Sequence, residues 1–234
     1  MSKPTRSAAI DFDRPPTWPA SLRRSAEGLA GAFRGTIAYQ DQVRTSESQE
    51  QAWRASLAGS AIRCYHATRL LPHEVELVRN QGLRPLSPEL ISDRISAAFR
   101  HGFITSGERE LMRDAHVFAT GEEAHRDNQV CFFLPRCLLD TDAGSIDPLM
   151  SIWGGEGISM SSRGIALPER IQTLGKPAIV VAELDFLREP STYVSASLLK
   201  VAVARLLDIP VLGAQVHWYA PVAPEQIVAV WQPG

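Results

Sequence analysis

Cysteine is scarce in this 234-residue chain: Cys64, Cys131 and Cys137 are an odd number, and no Cys-x-x-Cys occurs. A disulfide framework or a cysteine-built zinc site is therefore not expected, and a reducing compartment fits. An excess of one charge is also missing, because 24 Lys and Arg against 26 Asp and Glu leave a formal net charge of -2. That argues against holding duplex nucleic acid by broad phosphate neutralisation, although local basic patches remain. No run of about 18 apolar residues is present, and the residues before Asp11 hold no apolar stretch of signal-sequence length. A soluble, cytoplasmic protein with no membrane partner is expected.

Familiar catalytic signatures are absent too. There is no Gly-x-Ser-x-Gly elbow, no Gly-x-Gly-x-x-Gly, and no phosphate loop ending in Lys-Ser/Thr. His66, His73, His101, His116, His125 and His217 show neither His-x-x-x-His nor His-x-His spacing, so no metal is expected.

What is present is an ordinary globular composition, 44% hydrophobic and 21% charged, which fits one domain with an appendage or two small domains. Met1 to Pro19 is proline-rich and should be extended, with little core of its own. Ser21 to Phe33 predicts a short amphipathic helix through Leu22, Leu29, Ala32 and Phe33, and Gln40 to Gln51 a second helix or a linker. Residues 1–60 are thus expected to be a tail and helical arm, open to a protein partner.

The most informative stretch begins at Ile62. Ile62 to Arg69 reads as a strand with a polar His66-Ala67-Thr68-Arg69 tip. A short helix follows with Leu71, Val75 and Val78 on one face, and Gly82 caps it before Pro85. Ser87-Pro88 then opens a helix through Ile91, Ile95, Ala98 and Phe99. Thr105 with Glu108, and Thr120 with Glu123, have the capping-box spacing.

Further strands are predicted at Gln129 to Leu134, Pro177 to Asp185, Ala214 to Tyr219 and Gln226 to Trp231, with a helix from Ser195 to Leu207 whose Leu198, Ala202 and Leu206 share a side. Between them, Trp153-Gly154-Gly155-Glu156-Gly157 sets a carboxylate among glycines beside a flat indole, as a catalytic Glu or as an ordinary tight turn.

Three of these segments carry a resemblance. Tyr65-His66-Ala67-Thr68-Arg69, a helix and Gln81-Gly82-Leu83 resemble the opening of the ADP-ribosyltransferase-like fold, whose first strand carries H-G/A-T/S and whose helix ends in I-x-x-x-G-L. Val130-Cys131-Phe132-Phe133-Leu134-Pro135-Arg136 is similar to a strand of the DarT-type toxins, roughly V-P-F-Y-F-x-P-R. Val222-Ala223-Pro224-Glu225-Gln226-Ile227 resembles the family's closing V-P-P-E-x-I. At the family's catalytic Glu, in A/N-E-x-x-V, this chain has Gln215.

The resemblance implies an α+β domain over 61–234 with a split sheet and a helical insertion. It also implies an NAD-dependent ADP-ribosyltransferase or NAD glycohydrolase, in family habit a bacterial toxin or defence effector, with NAD as substrate and no metal. His66 would donate to the ribose 2'-hydroxyl, while Thr68 and Arg69 follow at the tip, Arg69 for the pyrophosphate. Phe132 or Phe133 would meet nicotinamide unless both rings are core, and Trp153 offers a further apolar surface. Arg136 is a second anion holder, and Glu156 or Gln215 stands at the ribose. The acceptor, nucleic acid or protein, is left open. The alternative is a non-catalytic nucleotide or ADP-ribose binder on the same fold. A relative of the 2'-phosphotransferases, which share the fold, is the third reading.

Overall fold

In a computed structural model of the protein, residues 9–57, 59–121, 127–140, 147–159, 167–186 and 192–232 are described. The fold is α+β. Its sheet is formed by β1 (Ile62–Leu70), β2 (Val130–Phe133), β3 (Lys176–Leu184), β4 (Tyr193–Val194), β5 (Gln215–Trp218) and β6 (Ile227–Trp231), in the order β4-β5-β2-β1-β3-β6. β1 pairs antiparallel with β2 through Tyr65 and Phe133, and β4 with β5 through Tyr193 and His217. The two-residue β4 has no signal in the sequence, being too short for a period-2 pattern. The chain divides into two compact units, 1–65 with 131–141 and 182–218, and 66–130 with 142–181 and 219–234.

In the first unit, α1 (Ala20–Phe33) and α2 (Glu47–Ala55) pack on α11 (Leu198–Leu207). The buried face of α1 is Leu22, Ala26 and Ala30, a strict spacing of four. Ala32, expected on that face, is exposed, because two residues past Ala30 it lies about 200° around the helix from the buried face. α11 is buried through Leu199 and Val201 to Ala204, with Ser197 capping its start.

The proline-rich segment after residue 8 contributes to this core, contrary to its composition. Ile10 makes a parallel bridge to Ile62, and Phe12 sits between Trp18 and Trp53 at ring-centroid distances of 5.7 and 6.2 Å. Trp18 Nε1 donates to the Asp11 carbonyl at 2.7 Å, so its one polar atom is satisfied on burial. The helix α7 (Cys137–Asp140) completes the unit.

The second unit carries seven helices among its described residues: α3 (Pro72–Gln81), α4 (Pro88–Arg100), α5 (Ser106–Ala115), α6 (Val117–Thr120), α8 (Asp147–Ser151), α9 (Glu156–Ser159) and α10 (Glu169–Gln172). Ser87 Oγ accepts from Leu90 N, and the Thr105–Glu108 capping box forms as its spacing predicts. Thr120 instead ends α6, with Gly121 at φ +75°. Glu123 lies outside the described residues.

One apolar cluster joins Ile91, Ile95, Met112, Val117, Trp153, Ile158 and Ile171. Another joins Leu70, Val75, Val78, Ala178 and Val180, with Ile227 and Val230 against it. α3 therefore spends its apolar face on β3 and β6.

Among the described residues, no helix is long and apolar enough to cross a membrane. Nor do three or more His, Cys, Asp and Glu side chains among them converge to hold a metal ion.

Candidate functional site

The strand β1 brings His66, Thr68 and Arg69 to its end in the second unit. Thr68 is buried and His66 half-buried. The Arg69 guanidinium makes four hydrogen bonds to main-chain carbonyls: Nε donates to Leu174 O at 3.0 Å, Nη1 to Met150 O at 2.8 Å, and Nη2 to Thr173 O and Gly175 O at 3.0 and 2.8 Å. Burial pulls its pKa down. A cation with four of its five N–H donors on carbonyls holds chain segments together. The pyrophosphate contact that the resemblance implies would have to displace those bonds.

Directly after this tip lies a side chain that sequence reasoning missed. Glu74, 5% exposed, accepts from Leu71 N at 2.8 Å, Trp153 Nε1 at 2.8 Å and Arg94 Nε at 2.7 Å. Burial would raise its pKa, but the Arg94 charge, the Arg94 bond, the Leu71 amide and the Trp153 indole together hold it below the ordinary carboxylate value. Arg94 also lies 5.1 Å from the Trp153 ring centroid and donates to Arg69 O at 3.4 Å.

The local signal for Glu74 was its place as the third residue of a helix that begins with Pro72. Nothing local pointed to Arg94 or Trp153 as its partners. Trp153 is 0% exposed with its indole nitrogen taken. It does not present the open flat surface expected of it, because the ring packs in the apolar cluster with Ile91, Ile95 and Met112 while Glu74 satisfies its one polar atom.

The turn after Trp153 follows the glycines. Gly154 and Gly155 have φ of +90° and +55°, and a Cβ on Gly154 would come within 2.2 Å of Ile158 Cδ1. Only glycine fits such a position. Glu156 opens the four-residue α9; its side chain lies outside the described residues.

Phe132, Phe133, Arg136 and Gln215 belong to the first unit, whereas His66, Thr68, Arg69, Trp153 and Glu156 belong to the second. Phe132 is fully buried and Phe133 nearly so, so both rings are core within their unit. Arg136 is exposed, and its backbone amide donates to Asp13 Oδ2 at 2.7 Å. Gln215 is half-buried, and its main chain is tied to Ser195 on both sides, N to Oγ at 2.8 Å and O from N at 2.9 Å.

Two residues along β5, and therefore on the same side of it, His217 Nδ1 stands 4.0 Å from Cys131 Sγ. Tyr193 meets that imidazole edge-on at 5.5 Å. The first unit also buries an ion network in which Arg63 bridges Asp11 at 3.2 Å and Glu183 at 2.7 Å.

Neither protein-family models, curated proteins nor solved structures contain a match to this chain.

Proposed function

We propose that the chain is an ADP-ribosyltransferase-like protein that splits NAD, passing ADP-ribose to a nucleic acid or protein acceptor or to water. The observation that supports this reading is a joint between two separate pieces of the resemblance. Gly82-Leu83, which ends the opening motif, meets Val222, which begins the closing one. Leu83 N donates to Val222 O at 2.9 Å and Val222 N to Leu83 O at 2.8 Å. Gly82, at φ +80°, approaches so closely that a Cβ would stand 1.8 Å from Val222 O. Segments about 140 residues apart are thereby locked together by the glycine that the family pattern carries.

The chemistry of that reading is scission of the nicotinamide–ribose bond through an oxocarbenium-like state. In this reading His66 donates to a ribose hydroxyl, and Glu156 supplies the negative charge that stabilises the developing positive one. Gln215 keeps hydrogen-bonding capacity but supplies no negative charge. NAD consumption of this kind would suit a bacterial toxin or defence effector.

The test is nicotinamide release from NAD by the purified chain, with and without nucleic acid or lysate. His66→Ala and Glu156→Gln are each expected to lower release by about 10²- to 10³-fold, the usual loss of one electrostatic partner. Unchanged release in both variants refutes these assignments. A second reading, a non-catalytic nucleotide or ADP-ribose binder, is favoured by Gln215 in place of a carboxylate. It predicts calorimetric binding of ADP-ribose with no release.

A further inference from the structure

We propose that Cys131 and His217 form a thiol-exchange site, in which the imidazole takes the thiol proton and the sulfur accepts a small disulfide of the glutathione class. Neither side chain takes part in the NAD chemistry proposed above. Cys131 and His217 lie on β2 and β5, which are neighbours in the sheet, with Sγ and Nδ1 4.0 Å apart and both side chains half-buried. The Tyr193 ring, at 62° to the imidazole, packs edge-on against it from β4 at the sheet edge, and Tyr193 itself is 57% exposed. Solvent therefore reaches this corner. Gln215, on the same side of β5, and the Tyr193 hydroxyl offer hydrogen-bonding groups to the peptide-like arms of such a disulfide.

The exchange balances without another reagent. Nδ1 accepts the Sγ proton as the sulfur attacks one sulfur of R–S–S–R. The new Sγ–S bond forms as the old S–S bond breaks, and the leaving thiolate takes the proton from the imidazolium. Thiolate, not thiol, is the attacking species, so a neighbouring base sets the rate.

The other two thiols supply the internal comparison. Cys64 is 0% exposed, donates to the Ala182 carbonyl at 3.6 Å, and burial pushes its thiol well above the ordinary value. It should be inert. Cys137 is half-buried at the start of α7.

The full chain would be incubated with oxidised glutathione near neutral pH and the adducts followed by peptide mass spectrometry. Cys131 is expected to react about tenfold or more faster than Cys137, with Cys64 unmodified. His217→Asn should slow Cys131 by a similar factor, leaving Cys137 and the circular dichroism spectrum unchanged. The wild-type comparison of Cys131 with Cys137 is a readout that needs no variant. Equal rates at Cys131 and Cys137, or a Cys131 rate indifferent to His217→Asn, would each overturn the proposal.

Discussion

Glu74 is a buried carboxylate kept ionised by three donors, and its neighbour His73 is held neutral. Burial lowers the His73 pKa, with His101, Arg94 and Arg100 adding to the effect and Glu74 opposing it. Its ring stacks on His101 at 4.3 Å, and neither of its nitrogens has a hydrogen-bond partner among the described residues. Both shifts act in one direction. A depressed folded pKa contributes stability above the unfolded value, and that stability is lost as pH falls through the folded value. Acid should therefore weaken the second unit in two steps, the first starting below the ordinary histidine value of 6.5 and the second below the ordinary glutamate value of 4.5.

Thermal melts from about pH 3 to pH 7 are the check, and Glu74→Gln should shrink the lower step, to which Glu108, its pKa lowered first by the Thr105 amide, also contributes. At neutral pH that substitution should cost about 3–5 kcal/mol, because it leaves the Arg94 charge without its carboxylate. A melt like that of the wild type would show that the Arg94 pairing contributes little. For Arg69→Ala, faster amide exchange is expected around 150 and 173–175, where its four carbonyl bonds end.

At the scale of elements, the glycine that caps α3 and Gly28, one of the two glycines inside α1, should respond oppositely to alanine. Gly82 has φ +80°, and its Cβ would collide with the Val222 carbonyl. Gly82→Ala should thus cost at least roughly 1–3 kcal/mol and loosen the Leu83–Val222 bridge. Gly28 lies within α1, and a methyl group added there would meet nothing within 4 Å. Gly28→Ala should stabilise by roughly 0.5–1 kcal/mol. Denaturant midpoints of the two variants moving the same way would contradict the packing described for one of them.

At the scale of the whole molecule, the segment read from sequence as an arm is part of a core. Ile10, Phe12, Trp18, Leu22 and Trp53 are all buried in the first unit. A chain shortened to 61–234 should expose α11 to proteolysis, because α1 and α2, which pack on it, are removed. A protease-resistant α11 in that fragment would mean that the first unit does not depend on residues 9–57.

The sequence by itself determined what is local. The positions of β1 and β3 to within one residue, the caps at Ser87 and Thr105, the glycine turn after Trp153 and the stop at Gly82 all follow from period, capping chemistry and φ, which act within a few residues. The α+β class followed from the same patterns. Tertiary structure alone decided the partners. Arg69 pairs with carbonyls more than 80 residues away, Glu74 with Arg94 and Trp153, and Cys131 with His217. It also drew the segment after residue 8 into a core, because a short apolar triplet such as Ile10, Phe12 and Trp18 has no periodicity to read until other elements cover it. Burial and long-range pairing depend on which surfaces meet, and no window of sequence contains both surfaces.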